Sequence, residues 1–135
     1  MPTLTSTEPT WIAICTVNEG NVMQIAGVLV DQDDTPVPLA AIGTMTLTLY
    51  DWATDTVINS RLDQSVLNVN GGTLHPTSGA FTLRLGGADN PILTPAGLAP
   101  GQTETHVALL EATWSSGGAW AGQIKVLVRQ IHRRP

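Results

Sequence analysis

The stretch that most restricts what this chain can fold into is the closing one, Glu104 to Ile131. It reads Glu-Thr-His-Val-Ala-Leu-Leu-Glu-Ala-Thr-Trp, then Ser115-Ser116-Gly117-Gly118-Ala119, then Trp120-Ala-Gly-Gln-Ile-Lys-Val-Leu-Val-Arg-Gln-Ile. Two long apolar-rich arms flank a small, polar, glycine-containing tip. That is the sequence form of a β-hairpin whose loop exceeds two residues. Such a hairpin does not stand alone in water, so other strands must cover it. In the first arm Val107 and Leu109 oppose Ala108, Leu110, Ala112 and Trp114, and in the second Leu127 opposes Ile124, Val126 and Val128. One face of each arm is therefore expected in the core. The other is expected to be an apolar patch open to an interface.

The rest of the chain supplies strands to cover it. Thr44-Met45-Thr46-Leu47-Thr48-Leu49-Tyr50 has the clearest period of two, with Met45, Leu47 and Leu49 on one face. Ala80-Phe81-Thr82-Leu83-Arg84-Leu85 alternates in the same way, with Phe81, Leu83 and Leu85 inward. Trp11–Val17, Val22–Val30, Thr56–Ile58 and Ser65–Val69 read as further strands. Val22–Val30 is apolar on both faces, which predicts covering on both sides. Asn18-Glu19-Gly20-Asn21, Asn70-Gly71-Gly72 and His75-Pro76-Thr77-Ser78-Gly79 are turns. Gly86 to Gln102 is the longest irregular piece. Within it Asp89 or Asn90 as cap and Pro91 at the first position resemble a helix start, which Pro95 limits to about one turn. Seven or eight strands without a helix of normal length predict two antiparallel sheets packed face to face.

A chain of 135 residues fits one domain. The expected boundaries are an extended N-terminal arm over 1–10, a sandwich over 11–131 and a basic tail over 132–135. Charge is only 13% of residues, which argues against disorder and suits a surface covered by neighbours. The charge is also uneven. Residues 1–120 carry Arg61 and Arg84 against all eleven acids, a balance of −9, while Lys125, Arg129, Arg133 and Arg134 leave residues 121–135 at +4. A basic tail on an acidic body suits an acidic neighbour, including another copy of the chain. Four charges without interleaved aromatics are too small a footprint to expect nucleic acid as partner. Cys15 is the only cysteine, which excludes an internal disulfide and a multi-cysteine zinc site. No basic segment precedes an apolar run, and no run approaches the ~20 residues that span a membrane. Synthesis and folding in a reducing cytoplasm, with no membrane partner, are expected.

No constellation of catalytic residues emerges. His75, His106 and His132 are far apart, and no second His or Cys stands at ligand spacing from any of them. Glu104 and His106 share a strand face, where a local hydrogen bond is the plainer reading than shared metal ligation. Asp31, Asp33 and Thr35 open like a calcium loop, but Pro36 stands where the glycine belongs and the distal glutamate is missing, so an acidic turn is expected. There is no nucleophile elbow and no phosphate loop. No enzymatic activity, no cofactor and no metal are expected. Trp114 and Trp120 flank the hairpin tip. They read as a cross-strand pair that pins the register, or alternatively as a platform for sugar rings, as does Trp52 in its own turn.

Leu98-x-Pro100-Gly101 followed by Glu104-x-His106-x-Ala108-Leu109 resembles the corner before the penultimate strand of immunoglobulin-like and fibronectin-type sandwiches. His106 holds the place of the corner tyrosine there, at a longer spacing. Further stretches are Leu47-x-Leu49-Tyr50-Asp51, Leu67-Asn68-Val69-Asn70-Gly71-Gly72, Gly79-Ala80-Phe81-Thr82-Leu83-Arg84-Leu85, Ala88-Asp89-Asn90-x-Ile92-Leu93 and Val126-Leu127-Val128-Arg129. Together they resemble small structural proteins of tailed bacteriophages with an immunoglobulin-like sandwich. The resemblance implies an all-β, immunoglobulin-like antiparallel sandwich with extended terminal arms. It implies a non-enzymatic virion subunit, assembled in the host cytoplasm, that decorates the head or joins the capsid as a homo-oligomer with other virion proteins. The alternative is a tail, neck or baseplate subunit or a module binding host glycans. The expected contact residues are Trp114, Trp120, Val107, Leu109, Leu127, Arg129, Arg133 and Arg134.

Overall fold

The computed structural model describes residues 11–31, 33–95 and 98–131. The expected arm over 1–10 and the tail with Arg133 and Arg134 lie outside these residues. Eight strands follow in order: β1 Trp11–Asn18, β2 Met23–Val28, β3 Ile42–Asp51, β4 Gln64–Ser65, β5 Gly72–Leu74, β6 Ala80–Leu85, β7 Thr103–Trp114 and β8 Ala119–Arg129. They form a five-stranded sheet of order β1-β8-β7-β3-β4 and a three-stranded sheet of order β2-β6-β5. Two sheets in this order form an immunoglobulin-like β-sandwich. The inter-sheet disulfide of antibody domains has no counterpart, because Cys15 is alone and sits half-buried on β1. One pairing departs from the expected antiparallel pattern. β1 lies parallel to β8, with Cys15 opposite Val126. The complete helical elements among the described residues are the short 3-10 turns Leu39–Ala41 and Gly87–Asp89, and no helix is long and apolar enough to cross a membrane.

The alternation in β3 decides its orientation. Met45, Leu47 and Leu49 are fully buried, and the intervening threonines face outward. There Thr44 and Thr113 join their hydroxyls across β3 and β7 at 2.6 Å, a cross-strand pair of the kind that fixes sheet register. The inward face of β7 carries Ala108, Leu110 and Ala112, and that of β8 carries Ile124, Val126 and Val128. Phe81, Leu83 and Leu85 of β6 close the core from the other sheet.

Several expectations need correction. β2 is an edge strand covered on one face only. Met23 and Ile25 pack on the core, but Val22, Val28 and Val30 are exposed. The strand expected over Ser65–Val69 shrinks to Gln64–Ser65, because Asn68 turns to φ 58° and its Oδ1 accepts the Leu74 amide. That curl creates β5, which the alternation did not signal. Thr56–Ile58 contributes only a bridge from Val57 to Tyr50. No helix starts at Pro91. The 3-10 turn Gly87–Asp89 ends before it, because the Asp89 carboxylate accepts the Gly86 amide and caps the turn it closes.

Candidate functional site

Three places on the sandwich carry more than packing. The first is an apolar cleft of ≈ 330 Å³ between the edge strands β1 and β2. Ile12, Trp114 and Trp120 line it from the larger sheet, and Ile25, Leu29 and Phe81 from the smaller one. Trp114 and Trp120 are half-buried against the core. They are not a directly opposed pair: Trp120 stands across from Ala112, and Trp114 across from Ile42. Gly122 makes the Trp120 position available, since a Cβ there would lie 2.7 Å from the indole ring. The two tryptophans therefore form cleft wall rather than a projecting platform. Ile12, Val28 and Val30 are exposed around it, and among the described residues β2 pairs with β6 alone, with no strand on its other edge.

The second place is the outward face of the larger sheet. Trp11 and Trp52 meet edge to face at 5.7 Å, and the Lys125 ammonium lies 5.8 Å from the Trp11 ring centre. Tyr50 lies on the same face, where burial and the nearby Asp55 carboxylate push its hydroxyl above its ordinary value. Val107 lies between β3 and β8 and is fully buried, so it is not the exposed contact residue that its sequence position suggests. Leu109 and Leu127 on the same face are half-buried, and Arg129 is exposed at the end of β8. Trp52 remains 47% exposed.

The third place is polar and buried. Asp51 ends β3, and Glu104 and His106 stand on the inward face of β7. His106 Nε2 lies 2.6 Å from Glu104 Oε1 and 4.0 Å from Asp51 Oδ1. Glu104 also accepts the amides of Leu93 and Thr94 and the Thr94 hydroxyl. Burial alone would raise the Glu104 carboxyl, but bonds from Thr94, His106 and Leu93 outweigh it and hold it below its ordinary range. The hydrogen bond expected between Glu104 and His106 is thus present. Its consequence reaches further, because Glu104 ties the β6–β7 connection to the corner where a tyrosine was the template. Asp51 Oδ2 accepts the Thr54 amide and hydroxyl, whereas Asp51 Oδ1 and His106 Nδ1 have no hydrogen-bond partner.

A neighbouring buried pair escaped sequence reasoning. Arg61 grips Asp89 through Nε at 2.6 Å and Nη2 at 2.9 Å. Burial would raise the Asp89 carboxyl, but Arg61, Asn59 and the Gly86 amide hold it below its ordinary value. Nothing local in the sequence joins residues 28 positions apart. The other histidine in view is a turn cap: His75 Nδ1 accepts the Thr77 and Ser78 amides. Asp31 likewise accepts the Asp33 and Thr35 amides, as an acidic turn should.

No protein-family model and no curated protein sequence matches the chain. Among solved structures it is similar to the first immunoglobulin-like domain of the human CD48 antigen. That likeness has 17% identity, covers 100% of this chain and 95% of that one, and has a TM-score of 0.38.

Proposed function

We propose that the protein is a non-enzymatic structural subunit of a tailed-bacteriophage virion, a head decoration or capsid-associated protein acting through protein–protein contacts. The observation that carries this reading is the open apolar edge. Ile12, Val28 and Val30 are 46–59% exposed around the cleft between β1 and β2. An unpaired strand edge beside exposed aliphatic side chains is a place where a neighbouring chain adds a strand. The first occupant to expect is a second copy. The acidic body and the basic last fifteen residues complement each other in a head-to-tail contact. The resemblance of residues 40–131 to phage structural proteins supplies the virion setting. Size-exclusion chromatography with light scattering, together with binding to empty capsids, tests it. A chain that stays monomeric and never joins particles refutes it.

The alternative, a tail or baseplate module that contacts host glycans, draws on one observation of its own. Trp52 is half-exposed beside Trp11 and Lys125, an arrangement suited to stacking on a sugar ring. A glycan array answers it. Binding that disappears with Trp52→Ala supports the module, and a blank array removes it.

A further inference from the structure

We propose that Asp51, Glu104 and His106 form a binding site for one divalent cation of the zinc type. The fold brings them together from the end of one strand and the start of another, with their donor atoms all within 4.8 Å of one another. They are 1%, 7% and 0% exposed respectively. Two carboxylates here carry two negative charges. Among the described residues, their ion-pair contacts are with His106 and not with any lysine or arginine. A protonated imidazole neutralises one of those charges, whereas a divalent cation neutralises both. That difference matters where each unbalanced ion costs several kcal/mol to bury.

A second observation is independent of the clustering. Asp51 Oδ1 accepts no hydrogen bond, although its side chain is 2% exposed, and its nearest cationic group is the His106 ring 4.0 Å away. The Thr54 amide and hydroxyl hold the other oxygen of the same carboxylate, so Oδ1 is fixed facing His106 Nε2. Buried carboxylate oxygens are normally satisfied, and one left bare at a cluster of ligand atoms points to a positively charged ligand.

The distances suit a small cation. Zinc bonds of about 2.0–2.2 Å in tetrahedral geometry place donors roughly 3.3 Å apart. The separations of 2.6 and 4.0 Å from His106 Nε2 bracket that spacing. Glu104 and His106 part by less than about 1 Å, and Asp51 closes by a similar amount. His106 binds through Nε2 and releases to solvent the proton it shares with Glu104. The Leu93 and Thr94 groups stay on Glu104 as outer support. His106 Nδ1 has no hydrogen-bond partner, so the ring lacks the outer support that metal-binding imidazoles usually have, and the hold on the cation rests on the two carboxylates. One imidazole with two carboxylates selects a zinc-like ion over calcium, which takes six to eight oxygens. The cation clips the β6–β7 connection to the end of β3.

The test uses tag-free full-length protein with His75 and His132 replaced by alanine, so that His106 is the sole imidazole. After chelation and dialysis against zinc, retained metal is measured by mass spectrometry, affinity by calorimetry and Tm with zinc or with EDTA. Cobalt serves as the optical probe of coordination. The expected result is one equivalent of zinc and a Tm higher in zinc than in EDTA. Asp51→Asn and Glu104→Gln, each checked for folding by circular dichroism, should weaken binding more than the 10–100-fold typical of an outer-shell change. Folded parent protein that retains less than about a tenth of an equivalent overturns the proposal whatever the variants do. So does zinc binding that survives both substitutions undiminished.

Discussion

Replacing Asp89 by alanine should be among the most damaging single changes to this domain. The carboxylate is 2% exposed and accepts four hydrogen bonds: Arg61 Nε and Nη2, Asn59 Nδ2 and the Gly86 amide. Alanine removes all four. Arg61, itself only 8% exposed, keeps the bonds from Nη1 to Gln64 and to the Asn70 carbonyl, but it loses its counter-charge. Removing one partner of a buried ion pair costs about 3–5 kcal/mol, and the stranded guanidinium accounts for most of it. The lost bonds of Asn59 and Gly86 belong to the same network and do not add in full. Against a typical stability of about 5–15 kcal/mol, that is a large share. Urea unfolding followed by tryptophan fluorescence reads it as a lower midpoint at constant slope. The double variant Asp89→Ala with Arg61→Met leaves no buried charge and should recover part of the loss. A loss below about 1 kcal/mol for Asp89→Ala, as for a solvent-screened pair, would refute the reasoning. So would a double variant less stable than the single one.

Acid should act through the same carboxylates. Asp89 and Glu104 titrate below their ordinary values of 3.8 and 4.5, so each contributes stability that is fully present above those values. That stability is lost as pH falls through the lower folded values, and urea midpoints should drop from about pH 4.5 downward. Asp89→Asn should flatten its part of that slope. Gly72→Ala should cost about 3 kcal/mol or more in thermal or urea unfolding, because the new Cβ would stand 1.9 Å from the Val66 carbonyl oxygen. Gly27→Ala meets nothing within 4 Å and should leave stability within about 1 kcal/mol, which makes it the matched control. Val28→Lys puts a charge on a side chain 59% exposed at the open edge. It should abolish self-association in light scattering without lowering the urea midpoint, and association that survives it would place the contact elsewhere.

The sandwich was legible where burial follows a period of two. Met45, Leu47 and Leu49, Phe81, Leu83 and Leu85, and the inward sets of the closing hairpin fall on the core face that their spacing dictates, because adjacent residues of a strand must point to opposite sides. The turns at Asn70-Gly71-Gly72 and at His75 to Gly79 were legible for a related reason, since positive φ values at Asn70, Gly71 and Gly79 favour those residue types. The same local rules could not show that β2 lies at an edge, that β1 pairs in parallel with β8, or that Val107 is covered from the outward face. Strand order and sheet ends decide these, and neither leaves a mark in a residue's near neighbours.

The polar sites divide in the same way. Glu104-x-His106 announced its own hydrogen bond, because two residues on one strand face are held at contact distance by the backbone itself. Asp51 and the Arg61–Asp89 pair announced nothing. A charged residue in a turn reads as solvated until the packing of distant segments takes its water away, and only then does its partner, or the lack of one, carry meaning. Local alternation and turn chemistry were enough to place the long strands, their core face and the main turns, which depend on short-range geometry, but not β5 or the shortening of Ser65–Val69. The tertiary structure alone decided which edge stays open and which charges are buried together, because desolvation is a property of the assembled sandwich and not of any stretch within it.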